Sequence, residues 1–224
     1  MTATDFFFHA QQLLEANANP AYAPAMEAYM RHKFPFFGIN SPLRKSLVQQ
    51  LLKKHGLPPA TEWMELAGLC FQPGNPRELQ YLLGDILIPK KKQLGEDWLP
   101  MLTSLIQTLS WWDTVDWLAP HLAASVLFRH PHLMEATTHE WITSDNIWLQ
   151  RSAIIFQLHA KEQTRSDLLF AYILHQSHSR EFFVQKGAGW ALRQYSKTNP
   201  QAVRAFIHAH ELPALTVKEG SKYI

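Results

Sequence analysis

Apolar residues recur at intervals of three and four along most of the chain. Leu47, Leu51 and Leu52 show the pattern, as do Leu168, Leu169, Tyr172 and Ile173, and no window of useful length alternates with a period of two. Such spacing collects the apolar side chains on one face of a helix and argues against half-buried strands. The helix breakers agree with it. Only nine glycines occur, none of them between Gly95 and Gly187, and no proline falls between Pro131 and Pro200. Elsewhere the prolines are read as helix openers. Ser41-Pro42, Asn75-Pro76 and Asn199-Pro200 each put proline directly after a residue type that caps helix N-termini. The fold class predicted is all-α.

The predicted helix starts lie near 42, 76, 111, 145 and 180, at intervals of 34, 35, 34 and 35 residues. A shorter second helix fits between successive starts, over 61–70, 97–109, 131–142, 165–177 and 200–210. Two further helices are expected before residue 40, and a short last one from Thr216. A period of this length is the signature of a superhelical solenoid of stacked helical pairs, in which equivalent positions line one continuous concave surface. At an offset of 35, Leu149, Gln150, Arg151 and Ala153 overlay Val184, Gln185, Lys186 and Ala188, and one register position holds Tyr81, Asp116, Arg151 and Lys186.

Composition narrows the picture. With 224 residues, 46% hydrophobic and 18% charged, the chain is read as one soluble domain spanning 1–224 with a substantial core. No basic leader precedes the first helix and no apolar run approaches membrane-spanning length, so a cytoplasmic protein is expected. The single cysteine, Cys70, excludes intramolecular disulfides and multi-cysteine metal cages. His130 with His132, His175 with His178 and His208 with His210 do not make a ligand set, so neither metal nor cofactor is expected. Charge is balanced, with 10 basic and 9 acidic residues in 1–112 and 11 and 10 in 113–224. A polyanionic partner therefore requires its counter-charge to be concentrated on one face.

The segment richest in chemistry is Ser110-Trp111-Trp112-Asp113-Thr114-Val115-Asp116-Trp117. Trp112 and Asp116, four residues apart, share a helix face, and Trp190 lies one turn beyond Lys186 on the same strip. Trp98, Trp111, Trp117, Trp141 and Trp148 are read as core, and for Trp112 and Trp190 packing and a site role both stay open. Arg151 likewise has two readings: a structural ion-pair partner, with Asp116 itself a candidate, or a phosphate contact. Arg44 and Lys45, one turn into the helix opened at Ser41, are placed to meet phosphate. A lone carboxylate lacks the partner acid of ordinary glycoside hydrolysis. It suffices where the leaving group is already cationic, as an N3- or N7-alkylated purine is. Asp116 would stabilise the developing sugar cation and orient water, indole faces would attract the same charge, and Arg151 and Lys186 would hold phosphates.

Four strings then resemble the DNA alkylation repair family of HEAT-like repeat glycosylases, the AlkD type: AYMRHKFPFFGINSPLRK (28–45), SWWDTVD (110–116), SDNIWLQRSAIIFQL (144–158) and KGAGWALRQYSKTNP (186–200). The resemblance implies HEAT-like helical pairs and a monofunctional glycosylase. Its expected substrate is double-stranded DNA containing 3-methyladenine or 7-methylguanine, handled without base flipping; from its size alone, a capped solenoid of 224 residues is expected to be a monomer. The resemblance places the catalytic aspartate on Asp116, the sugar-contacting tryptophans on Trp112 and Trp190, the phosphate-contacting arginine on Arg151, and a tyrosine near the site on Tyr29. One departure is the pair Gly187 and Gly189 in the helix of Trp190, which either loosens that residue or permits close helix packing. A non-catalytic DNA-binding relative and a protein-binding helical scaffold are the alternatives.

Overall fold

The computed structural model describes every residue from Met1 to Ile224 and contains helices and no strands. Its contacts group into two compact units, Met1–Lys90 and Lys91–Ile224. No helix is long and apolar enough to cross a membrane.

The first unit holds α1 (Ala3–Ala16), α2 (Ala23–Tyr29), α3 (Ser41–His55), α4 (Trp63–Cys70) and α5 (Arg77–Lys90). Thr2 and Asp5 close a capping box on α1, whose buried Ala3, Phe6, Ala10 and Leu14 follow the three-and-four spacing onto α3 and α4. The cap of α3 is Asn40, whose side chain accepts from the Leu43 N–H, so Ser41 is already the first helical residue. Asn75 is not an N-cap either. Its amide donates to the Leu69 carbonyl and closes off the end of α4 instead. A fully buried carboxylate, Glu78, accepts from the N–H groups of Phe37, Gly38 and Ile39 at 3.0, 2.9 and 3.0 Å and so fixes the loop leading to α3. Gly38 has φ +84°, and a Cβ there would collide with the Asn19 carbonyl, which is why the loop needs glycine. Cys70 is buried, and burial holds its thiol in the neutral form, as a core role requires.

The second unit contains α6 (Trp98–Gln107), α7 (Trp112–Trp117), α8 (Ala124–Arg129), α9 (Pro131–Thr143), α10 (Ile147–Ile155), α11 (Ser166–His175), α12 (Phe182–Tyr195), α13 (Pro200–Ala209) and α14 (Ala214–Gly220). Thus α7, α10 and α12 begin near the predicted 111, 145 and 180, and α6, α9, α11 and α13 fill the second-helix positions. Asn146 caps α10 and Asn199 caps α13. The 35-residue repeat has a physical origin in the loops before α10 and α12. The Gln150 amide donates to the Ser144 carbonyl at 2.7 Å, and the Gln185 amide to the Ser179 carbonyl at 2.7 Å. Each serine hydroxyl in turn accepts an N–H two residues on.

The helix-opening rule fails at several prolines: Pro20, Pro35, Pro58 and Pro73 lie in turns and loops, and two others sit inside helical segments beyond the first turn. Pro89 closes the last turn of α5. Pro120 lies in a π-helical stretch, Leu118–Ala123, between α7 and α8. Proline has no N–H, and residue 120 is the one that would bond the Asp116 carbonyl in an α-helix, so the ladder widens there rather than breaking. Of the tryptophans read as core, Trp98, Trp111, Trp141 and Trp148 are buried, whereas Trp117 is half-buried.

Candidate active site

Asp116 sits one turn into α7, directly before the π-helical stretch, and Arg151 sits at the middle of α10. The two side chains, 35 positions apart, meet in a bidentate pair: Arg151 Nε donates to Asp116 Oδ1 at 2.8 Å and Nη2 to Oδ2 at 2.8 Å. Nη1 donates to the Phe183 carbonyl at 2.5 Å, on the first turn of α12. One guanidinium therefore ties three stacked helices together. Its side chain is 4% exposed, against 20% for Asp116. Of the two readings of Arg151, this geometry is that of the ion-pair partner. Desolvation pushes the Asp116 carboxyl above its ordinary value, and the Arg151 charge only partly offsets that. The carboxylate is thus an anion held in poor solvent, attracted to any positive charge that forms at its open edge.

Trp112 opens α7 one turn before Asp116, and Trp190 lies in α12; both are half-buried. The Arg151 guanidinium carbon is 6.0 Å from the Trp190 ring centroid, so the indole stands at the edge of the ion pair. The two glycines of α12 are explained by packing. A Cβ on residue 187 would come within 2.9 Å of Arg151 Nη1, and one on residue 189 within 2.5 Å of the Glu219 Cβ and 3.0 Å of the Thr216 carbonyl. Gly187 makes room for the guanidinium and Gly189 for α14. The second of the two expectations for this pair, close helix packing, is the one observed.

Lys186 projects from α12 with its side chain 41% exposed and its ammonium 2.7 Å from Glu219 Oε1. In the first unit, Tyr29 is exposed at the end of α2 and Lys45 is exposed on α3. Arg44 departs from the expectation of an outward phosphate contact. It is 9% exposed, donates from Nε to Asp85 Oδ2 at 2.8 Å and lies 4.9 Å from the Tyr81 ring centroid. The apolar spacing that buries Leu47, Val48 and Leu51 on α3 also turns position 44 inward. Sequence reasoning missed Glu219: its pairing with Lys222, three residues on, is local, but its partners Lys186 and Arg193 lie 33 and 26 positions away.

No group of three or more metal-ligating side chains occurs. A concavity of about 440 Å³ lies at the C-terminal ends of α10 and α12 beside Gln157, His159 and Tyr195, and one of about 520 Å³ lies beside Leu99, Thr103 and Glu140; neither includes any of the residues above.

The profile of the family described as DNA alkylation repair enzyme matches residues 10–224. Among solved structures, a "predicted DNA alkylation repair enzyme" from Enterococcus faecalis is 34% identical. It covers 92% of this chain and 96% of its own, with a TM-score of 0.84. AlkD2 from Streptococcus mutans, at 16% identity and a TM-score of 0.61, covers 83% of this chain and 91% of its own. The smu.31 protein from Streptococcus mutans UA159, at 18% and 0.60, covers 82% and 96%. These two share the helical-repeat fold. No curated protein matches the sequence.

Proposed function

We propose that the chain, which belongs to the DNA alkylation repair enzyme family, is a DNA glycosylase hydrolysing the N-glycosidic bond of cationic N3- and N7-alkylated purines in duplex DNA. The observation that carries this reading is the desolvated Asp116 carboxylate, clamped by Arg151 and bordered by Trp190. As the bond between the sugar C1′ and the purine nitrogen lengthens, its electron pair leaves with the base, which departs neutral. The sugar becomes cationic at C1′. Asp116 stabilises that charge and orients a water whose oxygen adds to C1′, and it takes the released proton on its way to solvent. No acid is needed for the leaving group, consistent with a single carboxylate.

Each tryptophan offers an indole face to the same cation. Arg151 acts through Asp116: it keeps the carboxylate ionised and fixes its direction. Lys186 of the second unit and the exposed Lys45 of the first serve as phosphate contacts, and Tyr29, exposed on the first unit, is a further DNA contact.

The test is release of 7-methylguanine from a duplex oligonucleotide under single-turnover conditions. Release of the free base leaving an abasic strand is expected. Absence of release, with salt-sensitive duplex binding intact, replaces the glycosylase by a DNA-binding relative without chemistry.

A further inference from the structure

One carboxylate in the second unit is buried among three cations. Glu219 on α14 has its side chain only 7% exposed. Oε1 accepts from Lys186 Nζ at 2.7 Å, and Oε2 accepts from Arg193 Nη1 at 2.9 Å and Lys222 Nζ at 2.7 Å. The cations lie on the outside of this arrangement, with side-chain exposures of 41%, 25% and 45% for Lys186, Arg193 and Lys222. One negative charge therefore gathers three positive ones and leaves two unbalanced toward solvent. The carboxylate is secured from behind. The missing Cβ of Gly189 leaves the space that the Glu219 Cβ approaches, and the Thr216 hydroxyl of α14 donates to the Gln185 carbonyl at 3.1 Å. Lysine ammoniums have three donors and a guanidinium has five, so each cation keeps donors facing outward after bonding Glu219.

A structural ion pair needs one partner. A single buried anion holding three half-exposed cations, two of them seven residues apart on the helix that carries Trp190, is the construction expected where a phosphate is to be met by several donors at once. We propose that Glu219 is a positioning residue that organises Lys186, Arg193 and Lys222 into a clamp for one backbone phosphate of the bound duplex. The clamp rests on the reading of the chain as a duplex-DNA enzyme, and it makes α14 with the residues after it part of the binding surface. Its anchor stays ionised throughout the neutral range, since the surrounding lysines hold the Glu219 carboxyl down to about 2.

Glu219→Gln separates organisation from charge, because simple electrostatics and positioning predict opposite signs. Removing a negative charge from a DNA-binding surface should tighten binding. Losing the clamp should weaken it. We expect Glu219→Gln in the full chain to bind an unmodified duplex oligonucleotide about tenfold more weakly at fixed salt, and its log–log salt slope to fall by about 0.9, the amount of one phosphate contact. Lys222→Gln, on an exposed side chain that bears little on folding, should lower the slope similarly and weaken binding several-fold. Parental or tighter binding by Glu219→Gln, or an unchanged slope in Lys222→Gln, overturns the clamp. If Glu219→Gln does not fold, Lys222→Gln decides alone. The two readings fail differently: a parent chain that does not bind duplex at all overturns both, whereas a parent that binds but releases no 7-methylguanine loses the glycosylase and leaves the clamp to stand or fall on the slopes.

Discussion

Asp116→Asn changes two things at once, and the geometry predicts how far each should move. The amide keeps the shape of the carboxylate but loses its charge. Arg151, with a side chain 4% exposed, then faces two neutral atoms, only one of which accepts. Removing one member of a buried ion pair costs about 3–5 kcal/mol. Because Asp116 is 20% exposed, the lower end applies, about 3 kcal/mol. For a chain of this size that is a drop in melting temperature of about 6–12 °C. Excision should fall roughly a hundredfold to a thousandfold, the usual cost of deleting one electrostatic stabiliser of a transition state. The double variant Asp116→Asn with Arg151→Met tells the two effects apart. Taking away both charges removes the unpaired guanidinium, so at least half of the lost melting temperature should return while excision stays at the level of the single variant. The measurements are thermal unfolding and single-turnover release of 7-methylguanine. Excision that recovers together with stability would mean that Asp116 only holds the fold together, and the catalytic assignment would be refuted.

The remaining predictions follow from individual contacts. Gly187→Ala gains about 1 kcal/mol of helix propensity, which offsets part of what displacing the buried, triply bonded Arg151 guanidinium costs. It should lower excision, because a Cβ would sit 2.9 Å from Arg151 Nη1; undiminished single-turnover release would show that this pairing does not matter to the chemistry. Desolvation raises the Asp116 carboxyl above the ordinary aspartate range, so the acid limb of the excision profile should lie above that of a solvent-exposed aspartate, and a limb below that range in a protein still folded would contradict its role. His121 stacks on His159 at 4.7 Å between ring centroids, and burial together with that neighbour pushes its imidazole from 6.5 down to about 4. The unfolded chain binds the proton more readily there, so stability should fall as pH drops from 6.5 toward 4. In His121→Asn, that part of the slope measured by urea unfolding should disappear. Glu219 acts lower, from 4.5 down to about 2: its contribution is complete above pH 4.5 and lost as pH falls through 2, so Glu219→Gln should flatten acid unfolding in that window.

What the sequence made legible follows from which interactions are local. Helix class and period were readable because amphipathic spacing, caps and breakers act within a few residues of one another. Hence α7, α10 and α12 begin close to their expected positions. The same locality misled at Asn75, whose side chain turns back to the Leu69 carbonyl rather than forward, and at Pro120, where a helix accommodates proline by widening. Burial of charge was the part least accessible. Arg44 on a helix surface and Arg151 on another are indistinguishable as letters, yet each is turned inward onto a carboxylate at a distance of 41 and 35 residues respectively. Only for Arg151 did the repeat help, since one period brings its register position against that of Asp116.

The repeat also accounts for why the candidate site lies where it does. In the second unit a residue at a given register position meets the equivalent residue one period away, as Asp116 meets Arg151. Carrying the row one step further puts Lys186 beside Gly187, and the next helix in line is α14, which is no longer a full repeat. Its carboxylate, Glu219, takes the place that the next register residue would occupy and receives Lys186 much as Asp116 receives Arg151. The row thus runs anion, cation, cation, anion, each charge satisfied by a neighbouring helix. Asp116 and Glu219 nevertheless sit in opposite electrostatic settings. One is desolvated with a single arginine and pushed up; the other is surrounded by three cations and pulled down. A carboxylate of the first kind is suited to stabilise a transient sugar cation, and one of the second kind is suited only to hold other charges in place. Together with the geometry of the two ion pairs, that contrast supports the proposed division of roles, chemistry at Asp116 and positioning at Glu219.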